Sequence, residues 1–80
     1  MFLEDMIAAV NKIIENNSAF GGGFRPNSLI KDDLGIDSLK IVELIVNLEE
    51  EFNIMLDEAD LDPDKLIEVA DLYMLIEKYL

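Results

Sequence analysis

Chemistry has few places to reside in this chain. None of its 80 residues is histidine or cysteine, so an imidazole-activated nucleophile, a thiolate nucleophile and a zinc-thiolate site all lack their essential residue. What remains are hydroxyls and carboxylates. The 18 acidic residues fall along charged segments, and nothing in their spacing singles out an acid and base pair. An enzyme is therefore not expected. One hydroxyl stands in a more specific setting, Ser38 within Asp33-Leu34-Gly35-Ile36-Asp37-Ser38-Leu39. Gly35 supplies the backbone freedom of a sharp turn, and Asp37 or Ser38 can accept hydrogen bonds from the first free N–H groups of a helix starting there. Ser38 is then either a plain helix cap or a serine presented for modification.

A second chemistry-bearing pattern is acidic. Asp60, Asp62 and Asp64, followed by Glu68 and Asp71, match the acidic positions of an EF-hand calcium loop, with Ile67 at its apolar position. Against it, Lys65 stands where the loop needs glycine, Asp71 is one methylene shorter than the closing glutamate, and Pro63 interrupts the segment. No dedicated metal site is expected, and a small acidic calcium-binding protein is kept as the alternative function. Gly21-Gly22-Gly23 suggests a phosphate-cradling loop only superficially, because the Gly-Lys-Ser/Thr ending and the preceding strand are both missing. A flexible linker is the better reading.

The elements that must position these residues read as helices. Leu3, Met6, Ile7, Val10, Ile13 and Ile14 recur at helical spacing, and Asn16-Asn17-Ser18 should end that helix. The stretch from Ala19 to Asp32 breaks regular structure and makes a long connection, pinned by Phe20, Phe24, Leu29 and Ile30. A second helix runs from Ser38 to Phe52, with Ile41, Leu44, Ile45, Leu48 and Phe52 on its core face. Leu39, Val42 and Val46 are left over on the other side, beside Glu43, Glu49 and Glu50. They either face solvent or a partner, or pack under the long loop. After the connector 53–56, Asp57 can cap a short third helix through Leu61. Leu66, Val69, Ala70, Leu72, Tyr73, Ile76 and Leu80 mark the last helix. Asp62-Pro63 or Asp64 can start it early, whereas Glu68 is a poor cap for a late start.

The expectation is one all-α domain over 1–80, a small four-helix bundle with a long first loop and a short third helix. Half of the residues are apolar, enough for a core without disulfides. The formal net charge of -12 repels nucleic acid and anionic lipid, so basic protein surfaces are the fitting partners. An acidic start and the lack of a membrane-length apolar run predict a soluble, cytoplasmic protein with no membrane insertion.

The ordered set of motifs resembles the acyl carrier protein family. It comprises Leu34-Gly35-x-Asp37-Ser38-Leu39, Val42-Glu43-Leu44, Glu49-Glu50-Glu51-Phe52, and the ending Val69-Ala70-Asp71-Leu72 with Ile76-Glu77-Lys78. The resemblance implies that Ser38, flanked by Asp37 and Leu39, is the attachment site for phosphopantetheine, transferred from coenzyme A by a phosphopantetheinyl transferase. Acyl groups of fatty acid, polyketide or related biosynthesis would then travel as thioesters on that arm. It further implies that Leu39, Val42, Glu43, Val46, Glu49 and Glu50 face acyl-transferring and acyl-modifying enzymes through basic docking patches, with the carrier a monomer. Cargo in similar proteins lies between the second and later helices, which nominates Leu48, Ile54, Ala59, Leu61 and Ile76 as pocket lining. Lys40 stands where fatty-acid members usually carry an acidic residue, and Gly21-Gly22-Gly23, the extra residue around Lys31-Asp32-Asp33 and the longer Asp62-Pro63-Asp64 stretch also differ from the family's usual pattern.

Overall fold

Helical periodicity becomes three α-helices in the computed structural model, which describes residues 2–19, 21–62 and 64–80. They are α1 (Leu3–Asn17), α2 (Ser38–Phe52) and α3 (Val69–Tyr79). Among the described residues the chain is all-helical with no strand, and the expected third helix is a single 3-10 turn, Glu58–Asp60. The expected count of four is thus three helices and a turn. The reason is local: Asp57 caps the turn through Ala59 N–H at 3.0 Å, but no side chain of the turn is buried, so nothing drives it to lengthen.

The apolar faces meet as the spacing requires. Met6, Val10, Ile13 and Ile14 of α1 pack with Leu44, Ile45, Leu48 and Phe52 of α2 and with Val69, Leu72, Leu75 and Ile76 of α3. Leu3 is exposed, and Ile7 and Ile41 are only partly buried. Asn17 ends α1 with its side-chain amide donating to the Ile13 carbonyl, which satisfies its buried polar atoms. The Tyr73 hydroxyl donates to the Asn11 side chain, tying α3 to α1.

The long connection is pinned rather than loose. Ile30, Leu34 and Ile36 enter the core, Phe24 packs against it, and Ala19 N–H donates to the Leu34 carbonyl at 3.0 Å. Phe20, expected to help pin the loop, lies outside the described residues, as do Met1 and Pro63. Gly21 and Gly23 adopt φ of +75° and +87°, backbone that glycine tolerates and other residues resist. The loop also docks onto α3. Ile30 N–H donates to the Ile67 carbonyl, and the first N–H groups of α3, from Val69 and Ala70, donate to the carbonyls of Ser28 and Pro26. These loop carbonyls explain the late start at Val69 together with a capping box in which Asp71 accepts from Glu68 N–H, and from Ile67 N–H as well, so that Glu68, expected to cap poorly, is part of a working cap.

Candidate functional site

The turn before α2 is built to deliver one residue. Leu29 to Ile36 coils tightly: Asp33 and Leu34 donate backbone N–H to the Leu29 carbonyl, Gly35 to Lys31 and Ile36 to Ile30. Gly35 sits at φ +67°, the conformation that its place in the motif requires. The chain then straightens and α2 begins. Asp37 is the cap, its Oδ1 accepting from Leu39 N–H at 3.1 Å and Lys40 N–H at 2.9 Å. Ser38 is consequently the first helical residue and not the cap, so its hydroxyl is released from that duty.

A comparison of all three serines sharpens the point. The Ser18 hydroxyl donates to the Leu34 carbonyl, and the Ser28 hydroxyl accepts from Arg25 N–H at 2.8 Å. Ser38 is exposed, and among the described residues its hydroxyl has no hydrogen-bond partner. The helix start is less open to an anion than the sequence suggests, because Asp37 has consumed the N–H groups of Leu39 and Lys40.

Ser38 lies at a cleft of about 490 Å³, within the size range of small-molecule sites. Its walls are the turn residues Leu29 to Asp32, Ile36, one stripe of α2 (Ser38, Ile41, Val42, Ile45, Val46, Glu49), and Leu61, Leu66 and Ile67. The stripe advances 11 residues, so at 1.5 Å per residue the cleft follows α2 for roughly 16 Å. Of the five residues nominated as pocket lining, only Leu61 is on this wall. Leu48 and Ile76 have no exposed surface and belong to the core, while Ile54 and Ala59 lie off the cleft. Ile41, Ile45, Leu66 and Ile67 were not nominated. Their helical spacing assigned the first two to the core, and only the return of the loop over α2 makes them a cleft floor.

The leftover strip on α2 is open. Leu39, Val42 and Val46 are 81%, 59% and 43% exposed, so the long loop does not cover them. Glu43 and Glu50 are exposed beside them, with Glu43 3.8 Å from the Lys40 ammonium. Glu49 is different. It is half-buried and its Oε2 accepts from Leu56 N–H at 2.9 Å, which ties the connector after α2 back to the helix.

The acidic segment nominated for calcium does other work. Asp60 accepts from the Lys78 ammonium and the Tyr79 hydroxyl, Asp62 accepts from Asp64 N–H, and Asp71 sits at the α3 start. Among the described residues no three acidic side chains converge as a metal site, and nothing favours the calcium-loop alternative. The hydrogen bond from Tyr79, then that from Lys78, holds the Asp60 carboxyl below its usual value, and the same contacts hold Tyr79 and Lys78 above theirs.

Comparison with known proteins agrees with this geometry. The family described as phosphopantetheine attachment site matches residues 26–73. An acyl carrier protein of Campylobacter curvus is 39% identical over 66 residues, covering 82% of this chain and 83% of its own. A Mycobacterium tuberculosis protein assigned as an acyl carrier protein superposes with a TM-score of 0.81 at 34% identity, over 91% of this chain and 96% of its own. The carrier in a Bradyrhizobium japonicum glycine:[carrier protein] ligase complex, solved with glycylated carrier protein, gives 0.68 at 25% identity, over 91% and 96%. The chain belongs to the acyl carrier protein family. Its role is that of a carrier and not of an enzyme, and the group that goes with the role is phosphopantetheine. No helix among the described residues is long and apolar enough to cross a membrane.

Proposed function

We propose that Ser38 is the residue that bears phosphopantetheine and that the open strip of α2 is the surface by which partner enzymes recognise the carrier. One observation carries the first half. Of three serines, two have hydroxyls committed to the long loop, and only Ser38 combines an exposed hydroxyl, a fixed place at a helix start and a cleft beside it. In the loading step the Ser38 oxygen attacks the coenzyme A phosphorus that bears pantetheine. An O–P bond forms, the P–O bond to 3′,5′-ADP breaks, and the hydroxyl proton passes to a base of the phosphopantetheinyl transferase. When bound, the group supplies the thiol for acyl thioesters that a chain without cysteine lacks. Asp37 contributes by capping α2, which fixes Ser38 and keeps its hydroxyl unengaged.

Leu39, Val42 and Val46, bordered by Glu43 and Glu50, form the recognition strip, while Glu49 serves it by fixing the connector. An exposed apolar strip with a carboxylate border suits a partner with a basic rim and an apolar centre. The proposed setting is cytoplasmic, with one domain over 1–80, a monomeric carrier, and acyl intermediates of fatty acid, polyketide or related biosynthesis as cargo. The ligase seen with the Bradyrhizobium carrier supports the general arrangement of a carrier served by a separate enzyme. Loading kinetics test the strip. Val42→Ala and Glu43→Lys should slow transfer from coenzyme A while changing stability by no more than about 0.5 kcal/mol, as is usual for exposed positions. Unchanged loading rates, or a Val42→Ala loss of about 1 kcal/mol or more, would contradict it.

A further inference from the structure

Resting on the reading of Ser38 as the attachment residue, we propose that Lys31 receives the negative charge of the attached phosphodiester and so directs the arm toward the cleft. A phosphodiester on Ser38 adds an anion to a chain whose formal net charge is already -12. A helix start ordinarily accommodates an anion through its free N–H groups. Here Asp37 has taken those of Leu39 and Lys40, and its own carboxylate lies beside the attachment point. Asp32 lines the same cleft and adds to the repulsion. With two of the first-turn N–H groups taken, a basic side chain is the stronger source of compensating charge.

Two of the six basic residues are near Ser38 in the chain, and they are placed differently. Lys40 is two residues further along α2, where side chains do not share a face, and its ammonium is paired with Glu43 at 3.8 Å. Lys31 lines the cleft together with Ser38, and among the described residues it is the one basic residue that does so. It is exposed and makes no ion pair among the described residues. Its backbone is nonetheless fixed, because its carbonyl accepts Gly35 N–H at 3.1 Å and the preceding Ile30 is buried in the core. The flexible four-carbon stem of lysine then carries an unengaged ammonium from a fixed base. Pairing with a phosphodiester breaks no existing contact, and a charge-assisted hydrogen bond to a phosphate oxygen is the interaction gained. The pair sits at a solvent-exposed mouth, so salt should weaken it.

The experiment uses the loaded protein, with intact mass confirming one arm and fragmentation placing it on Ser38, and reads the phosphorus resonance by NMR. Lys31→Gln should shift that resonance, Lys31→Arg should leave it close to wild type, and Lys40→Gln should leave it in place. Sodium chloride should move the wild-type resonance toward the Lys31→Gln position and leave the Lys31→Gln sample unmoved. In wild-type protein, loading should shift the side-chain ammonium signal of Lys31 and not those of Lys12 or Lys65. A phosphorus resonance indifferent to Lys31→Gln, an equal response to Lys40→Gln, or a Lys31 signal unchanged on loading would overturn the proposal while leaving Ser38 as the attachment residue. A wild-type chain that takes no arm overturns the Ser38 reading itself, and is recognised by mass before any resonance is compared.

Discussion

At the scale of single residues, the division of labour between Asp37 and Ser38 decides what the site can do. A serine next to a helix start is an ordinary cap, and the sequence leaves either residue free to fill that role. The structure assigns it to Asp37, whose two hydrogen bonds hold the first turn while the neighbouring hydroxyl stays unengaged. A pair of substitutions separates capping from charge. Asp37→Ala should cost about 1 kcal/mol in chemical denaturation, the usual loss for a removed cap, and should slow loading as Ser38 is drawn toward the vacated N–H groups. Asp37→Asn should retain the stability, because asparagine caps as well as aspartate. Equal losses in both variants would show that the carboxylate charge, and not the cap, is what matters.

At the scale of elements, regular periodicity was legible and contacts between distant segments were not. The ends of α1 and α2 lie where the Asn-Asn-Ser run and the Asp-Ser step place them, and the split of α2 into a core stripe and an open strip holds for Leu44, Ile45, Leu48, Leu39, Val42 and Val46. The start of α3 and the cleft floor depend on where the loop 18–37 comes to rest, which a spacing pattern does not encode. The same holds for the junction of the 3-10 turn with the end of α3. Tyr79 donates to Asp60 and accepts from Asp57 N–H at 2.8 Å, and Lys78 meets Asp60 at 2.9 Å. This junction holds the turn next to Leu61, a cleft wall. Its pH dependence follows from the directions of the shifts. The Asp60 contribution is complete above the unfolded value near 3.8 and is lost as pH falls through the lowered folded value. The Lys78 and Tyr79 contributions are complete below 10.5 and 10.0 respectively, and are lost as pH rises through their raised folded values. Asp60→Ala should lower the Tyr79 titration midpoint, followed by phenolate absorbance, and leave Tyr73, which burial raises independently, where it was. An unchanged Tyr79 midpoint would mean that the junction does not persist in solution.

At the scale of the whole molecule, charge sets the conditions under which the fold and the cleft are stable. With 18 acidic and 6 basic residues, the compact state concentrates repulsion that the unfolded chain relieves. Only two ion pairs are seen among the described residues, and the lysine of each is exposed, so they offset little of it. Added salt should therefore raise the melting temperature, because the screening length at physiological ionic strength, about 8 Å, is shorter than much of the domain. The 3-10 turn, with no buried side chain, should gain most in hydrogen-exchange protection. A melting temperature that is flat or falls across a sodium chloride series would mean that attractive pairs outweigh the repulsion. On the proposed reading of the open strip, the same net charge disfavours polyanions such as nucleic acid and favours partners with basic surfaces.

The central claim is that Ser38 carries the arm, and intact-mass spectrometry with fragment localisation tests it most directly. Incubation with coenzyme A, magnesium and a broad-specificity phosphopantetheinyl transferase should add one phosphopantetheine to the wild-type chain, localised to Ser38 and absent in Ser38→Ala. An unmodified wild-type chain with several such transferases, or an adduct on Ser18 or Ser28, would contradict it.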